Sequence, residues 1–212
     1  KPDLILATDM LDLSTFLALT KTKVRSIIYF HENQLAYPWS PMDRDIKAKR
    51  DHHYSFINYI SALSATNVLF NSKFHMNIFF SELHTFLKHF PDYNELETIQ
   101  IIKNKSQVLK LGIDLKKLDK SKTTKYDKPL ILWNHRWEYD KNPEMFFRCL
   151  QRVKHQGYNF SLVILGENFN STPKIFEQSI EIFKDNILHW GYIKDHKNYA
   201  KWLWRANILP VT

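Results

Sequence analysis

The sequence predicts an α/β protein built from two doubly wound parallel sheets, each incomplete. Three observations carry this. Short apolar strands alternate with helical stretches along all 212 residues. The strands are apolar at nearly every position instead of every second one, the pattern of a parallel sheet buried on both faces. A lysine-rich stretch from Lys116 to Lys128 has no apolar periodicity and divides the alternation into two halves.

The elements follow in order. Leu4–Thr8 reads as the first strand, with a helix near Leu13–Thr20 and a second strand at Ser26–Phe30. A long helical stretch over Asp43–Ala65 carries apolar residues at Tyr54, Ile57, Ile60, Ala62 and Leu63. Asn67–Phe70 is the next strand, and Ser72 is placed to cap the helix Lys73–Leu87. Gln107–Leu111 closes the first half. Beyond the lysines come the strand Leu130–Trp133, helix Pro143–Gln156, strand Phe160–Leu165 and helix Pro173–Phe183. Ile187–Trp190, helix Lys197–Arg205 and a last strand at Ala206–Leu209 complete the series. The domain boundaries read from this are 1–118 for the first domain, 119–128 for a linker and 129–212 for the second domain. Both ends fall inside a sheet, so a fragment of a longer protein is expected.

Composition sets the outer limits. With 44% hydrophobic and 15% aromatic residues the chain can bury a sizeable core. The formal charge of +8 permits a polyanionic partner such as RNA without demanding one. A single cysteine, Cys149, excludes an internal disulfide framework and a cysteine-rich zinc site. No signal peptide and no run long enough to span a bilayer is present, so a cytoplasmic protein without membrane attachment is expected. There is no Walker loop, no Gly-x-Gly-x-x-Gly fingerprint, no Gly-x-Ser-x-Gly elbow and no His-Glu-x-x-His pair. No metal site is expected. His52-His53, among Arg44, Lys47, Lys49 and Arg50, reads as a solvated helix face.

Ligands of doubly wound sheets gather beyond the carboxyl ends of the strands, and that rule ranks the loops. The most informative follows Leu130–Trp133: Asn134-His-Arg-Trp-Glu-Tyr-Asp-Lys-Asn-Pro143. Asn142 suits an N-cap, Pro143 the first helical position, and Glu144 the positive helix end. Arg136 and Lys141 on a loop feeding a helix N-terminus make a candidate anion site; a solvated loop is the plain alternative. In the first half the strand ends carry Asp9, then His31-Glu32-Asn33, Asn71 and Gly112; in the second, Asn134, Gly166 and Glu167. The glycines also suit simple turns.

Tyr29-Phe-His-Glu-Asn-Gln-Leu-Ala-Tyr-Pro-Trp39 with Asp43-Arg-Asp45, Phe70-Asn-Ser72, Val108-Leu-Lys-Leu-Gly-Ile-Asp114 and Leu132-to-Pro143 resemble, in the same order, the tRNA-queuosine alpha-mannosyltransferases. The resemblance spans essentially the whole chain and is closer to the bacterial form. It implies two Rossmann-like domains in the GT-B arrangement of retaining glycosyltransferases. It also implies transfer of mannose from GDP-mannose to queuosine in tRNA, with no metal or other cofactor. By the same resemblance Arg136 and Lys141 would bind the donor diphosphate, His31 would face the reacting sugar, and Gly166 and Glu167 would lie near the nucleotide. The glutamate-rich donor segment of the superfamily is not present before Thr212, so the fragment alone is expected to be inactive. Two other readings stay open: a related enzyme with a lipid or polysaccharide acceptor, and a non-catalytic RNA-binding module.

Overall fold

The computed structural model describes residues 2–37, 52–167 and 173–212. The chain divides into two compact units, Lys1–Gly112 and Ile113–Thr212.

In the first unit, strands β1 (Ile5–Thr8), β2 (Ser26–Phe30), β3 (Asn67–Phe70) and β4 (Ser106–Val108) pair in parallel, in the order β1-β2-β3-β4. Register places Ala7 beside Ile28, Ile28 beside Val68, and Phe30 beside Phe70, which in turn lies beside Val108. Helices α1 (Leu13–Thr20), α2 (His53–Ser64), α3 (Lys73–Leu87) and α4 (Thr98–Asn104) connect them. Local chemistry sets their starts. The Asp12 carboxylate accepts from the Thr15 N–H at 3.0 Å, and Ser72 Oγ accepts from the His75 N–H at 3.1 Å. Lys105 closes the end of α2 by donating from Nζ to the carbonyls of Leu63 and Ala65, at 2.6 and 2.5 Å. Its burial holds the ammonium below its ordinary pKa.

Leu13 of α1, Ala62 of α2, Phe79 and Leu83 of α3 and Ile102 of α4 join Ile28, Phe30, Val68 and Phe70 in one buried cluster. That cluster lies on one face of the sheet. On the other face, among the described residues, Leu6 is 67% exposed.

The second unit opens with a short helix α5 (Leu115–Asp119), followed by β5 (Leu130–Asn134), α6 (Pro143–His155), β6 (Ser161–Leu165), α7 (Ile175–Phe183), β7 (Ile187–Trp190) and α8 (His196–Arg205). The sheet order is β5-β6-β7, all parallel, with Ile131 beside Leu162 and Trp133 beside Ile164. Here both faces are filled. Ile131, Trp133, Leu162 and Ile164 pack with Phe147 of α6 and Phe176 and Phe183 of α7. Leu130, Leu132, Val163 and Leu165 meet Tyr199, Trp202 and Leu203 of α8.

Several boundaries differ from the sequence reading for physical reasons. Only His53–Ser64 of the long helix expected from residue 43 is described; residues 43–51 lie outside the described residues. The strand expected at Gln107–Leu111 begins at Ser106 and ends at Val108, because Leu111 has left the sheet and is exposed. Ala206–Leu209 forms no strand. It lies beside β5 through a single parallel bridge, Ile131 to Ile208, with Leu132 N–H donating to Ile208 O at 2.9 Å. Residues 113–128 belong with the second unit, because Trp204 Nε1 donates to Leu118 O at 2.9 Å and ties α5 to α8.

Truncating the fully buried Phe79, which packs against Phe30, Phe70 and Phe80, is expected to destabilise the first unit by about 3–5 kcal/mol. Urea unfolding of Phe79→Ala followed by circular dichroism measures this; a midpoint equal to the parent's would contradict its central place in the core.

Candidate active site

β5 has β6 on one side and the 206–209 segment on the other, so the chain direction around the sheet switches there. Loops leaving neighbouring strands at such a point diverge and open a crevice beyond the carboxyl end. The crevice has a volume of about 270 Å³, and Asn134, Arg136, Gly166, Glu167, Tyr192 and Tyr199 are among its lining residues.

Trp137 ties together the chain segments that line it. The Trp137 N–H donates to Glu167 O at 3.1 Å and the indole Nε1 donates to Leu165 O at 3.2 Å. The same ring stacks on Phe176 at 4.5 Å with the planes 8° apart. One residue thus binds the loop after β5 to the end of β6 and to the loop that follows it, and its ring anchors them in the core. Gly166 permits the approach. Its φ is +130°, and a β-carbon there would lie 1.8 Å from His135 O. Asn134 is turned toward the crevice by donating to the Tyr199 hydroxyl at 2.7 Å.

Arg136 lines the crevice and pairs with Glu138 at 3.1 Å, its side chain 54% exposed. Such a partly exposed pair contributes at most about 1 kcal/mol, so it yields to a better ligand. Lys141 ends a 3₁₀ turn (Tyr139–Lys141), and its ammonium lies 2.7 Å from Asp140 Oδ2. It is not among the lining residues of the crevice. Asn142 follows in a left-handed conformation, φ 46° and ψ 51°; its side chain caps α6 by accepting from the Met145 N–H at 3.3 Å, and Pro143 opens the helix.

A second cluster sits at the carboxyl rim of the first unit. Asp9 is buried, and its Oδ1 accepts from the His31 N–H at 3.0 Å and lies 3.3 Å from the His31 ring Nδ1. The imidazole, 53% exposed, is therefore held by a carboxylate that is almost wholly enclosed. Asn58 of α2 ties the loops together, donating to Asp9 O at 2.9 Å and accepting from the Gln34 N–H at 2.8 Å. Asn71 donates to His31 O at 2.7 Å and faces the ring Nδ1 of His75 at 3.1 Å. Asn33 accepts from the Ala36 N–H at 3.0 Å. His31, Glu32, Asn33, Asn71, Ser72 and His75 are among the residues around a groove of about 320 Å³.

Asp9, His31, Glu32, Asn33 and Asn71 thus come together in one unit, and Asn134, Arg136, Gly166 and Glu167 in the other. Gly112 joins neither and stands in open space where the two units meet in sequence. Tyr192, at the strand end Gly191-Tyr192 that the sequence marks, does line the crevice, whereas Trp137, Tyr199 and His75 are residues that the sequence alone does not single out. Trp137 lies inside the motif that draws attention to Arg136, but no local pattern marks Tyr199, which is 65 residues from its partner Asn134. Among the described residues no group of three or more His, Cys, Asp or Glu side chains could hold a metal ion, and no helix is long and apolar enough to cross a membrane.

The family model for the N-terminal part of tRNA-queuosine alpha-mannosyltransferases matches residues 1–113. The chain belongs to that family. The tRNA-queuosine alpha-mannosyltransferase of Drosophila melanogaster is 32% identical over 219 residues, covering 98% of this chain and 56% of the relative. The chain therefore spans about half the length of the curated relative it matches. Among solved structures, Anabaena Alr3699/HepE in complex with UDP shares 12% identity at a TM-score of 0.59, covering 98% of this chain and 52% of its own. The UDP-forming alpha,alpha-trehalose-phosphate synthase of Burkholderia xenovorans shares 14% identity at a TM-score of 0.64, covering 99% and 52%. At these identities the likeness shows the fold, which is the GT-B one.

Two outcomes follow for stability. Gly166→Ala is expected to cost about 2 kcal/mol or more, because the new methyl group would overlap the His135 carbonyl in a backbone conformation that alanine disfavours. Thermal unfolding measures it, and a variant as stable as the parent would show that the two loops are not held together at this point. Burial holds the His75 imidazole below its ordinary pKa of 6.5, opposed by the charge of Asp9. The unfolded chain then takes up the proton first, so this contribution to stability is present above about pH 6.5 and lost as pH falls below it. His75→Phe is expected to flatten that part of the stability–pH profile; an unaltered slope would remove His75 as its source.

Proposed function

We propose that the complete protein is a retaining glycosyltransferase that moves mannose from GDP-mannose to a hydroxyl on the cyclopentene ring of queuosine in tRNA. The name of the Drosophila relative supports the sugar and the acceptor. The observation that carries the donor side is the β5 loop, pinned by Trp137 and presenting Arg136 at a crevice beyond the strand ends, with Lys141 five residues on at the entrance to α6.

In this reading Arg136 and Lys141 grip the diphosphate. The bond between the anomeric carbon and the diphosphate oxygen breaks as the sugar becomes oxocarbenium-like. The acceptor oxygen bonds to that carbon on the same face, and its proton passes to the departing phosphate oxygen. Preorganised positive charge stabilises the leaving diphosphate, so no divalent cation is required. Gly166 and Glu167 line the nucleotide side. His31, oriented by the enclosed Asp9 carboxylate, is assigned to the reacting sugar, with Glu32, Asn33 and Asn71 around it. A tRNA acceptor supports a cytoplasmic location.

Incubating the full-length protein with GDP-mannose and queuosine-containing tRNA, then analysing the nucleosides by mass spectrometry, is expected to show queuosine heavier by one hexose. A gain with another sugar nucleotide only would overturn the donor, and no gain with any donor would overturn the reaction. Arg136→Ala is expected to lower the transfer rate by roughly 100-fold, the effect of removing one charge-stabilising donor. Unchanged transfer would sink the site assignment.

A further inference from the structure

The lysine-rich stretch before β5 has no part in the donor or sugar site, yet the fold gives it a definite place. Residues 113–212 hold 17 of the 30 Lys and Arg residues against 11 Asp and Glu, so most of the excess charge belongs to the second unit. The stretch runs along α8 and does not hang free. Lys125 Nζ donates to Ala206 O, and the Lys122 ammonium sits 5.2 Å from the Trp204 ring. The Arg205 guanidinium lies 5.2 Å from Tyr126 and 5.3 Å from Trp202, two rings stacked at 6.1 Å with planes 13° apart.

Beside this ridge, between β7 and α8, lies a cleft of about 490 Å³ whose lining includes Lys194, Lys201, Arg205, Tyr192, Trp202 and His189. Asp195 is the one carboxylate in that lining, and it is engaged in capping α8 through the Lys197 and Asn198 N–H groups, at 3.1 and 3.3 Å. Cations alone would suit any polyanion. Flat rings interleaved with them suit one kind in particular, because unpaired bases stack on aromatic faces while lysines and arginines track the phosphates.

We propose that this face of the second unit, made by the 116–128 stretch, the loop after β7 and α8, binds the sugar-phosphate backbone and an unpaired base of the tRNA acceptor. It rests on the acceptor reading given above and adds to it a surface of the second unit that holds the RNA through groups outside the donor crevice. Lys122, Lys194 and Lys201 are the phosphate-binding groups, and none of them belongs to the donor crevice.

The test measures equilibrium binding of tRNA to the full-length protein by fluorescence anisotropy over a range of salt, with the triple variant Lys122→Ala, Lys194→Ala, Lys201→Ala beside the parent. The variant is expected to bind tRNA at least tenfold more weakly. Its plot of log affinity against log salt should be shallower by roughly 2, since each phosphate left without its lysine lowers the slope by about 0.7–0.9. GDP-mannose binding should stay at the parent's value, reporting an intact second unit, and the Lys→Arg triple variant should bind tRNA as the parent does. A parent that binds tRNA and a variant that matches it in affinity and salt slope overturn the surface while leaving the acceptor reading standing. A parent that neither binds nor modifies tRNA overturns both.

Discussion

The contact on which the candidate donor site depends is the one made by Trp137. Its indole N–H is satisfied by the carbonyl of Leu165 at the end of β6 and its backbone N–H by that of Glu167 in the loop beyond, while its ring is stacked on Phe176 in the core. A tryptophan whose polar handle reaches a partner can be buried without an unsatisfied donor. Here that requirement fixes the relative position of two loops that would otherwise be free. The absence of a side chain on Gly166 is the complementary condition, since any β-carbon would push the His135 carbonyl away. Arg136 is thus presented by a loop whose path is set from below.

The two sheets give different kinds of support. In the second unit, the chain returns from α8 to the far side of β5, so the loops after β5 and β6 part around a crevice. In the first unit the described strands run in sequence order across the sheet, and its site depends instead on polar clamps between loops. Asn58 and Asn71 serve there as the links that Trp137 and Gly166 provide in the second unit. The buried Asp9 is the pivot, accepting from the His31 backbone and positioning its ring.

Much of this is legible in the sequence, because short apolar runs such as Leu130–Trp133 and Phe160–Leu165, alternating with helical stretches, fit strands buried on both faces. The cap at Asn142 and Pro143 is equally plain, since it needs only neighbouring residues. What stays hidden depends on distance along the chain or on short length. Helix α4 begins where the Thr98 side chain and N–H both turn back on Glu95 O, and its N-cap residue, Glu97, makes no side-chain cap hydrogen bond. Tyr199 gains its place only when α8 packs across the sheet. His75 reads as an ordinary helical residue, yet its ring packs edge-on to Phe30 and Phe70 with Nε2 unpartnered. The lysines after Lys116 read as a solvated linker, because nothing local reveals that Trp204 and Arg205 lie beneath them.

The loop that carries Arg136 and Lys141 also carries Glu138 and Asp140, and the four charges are paired two by two. As it stands the loop is electrically balanced. In the donor role proposed for this loop, an incoming anion would bind by exchange, taking the place of a carboxylate already in contact. A singly charged ion would only match what it displaces. A diphosphate, with two negative charges at one point, would gain the difference, so selection on that reading goes by valence before shape.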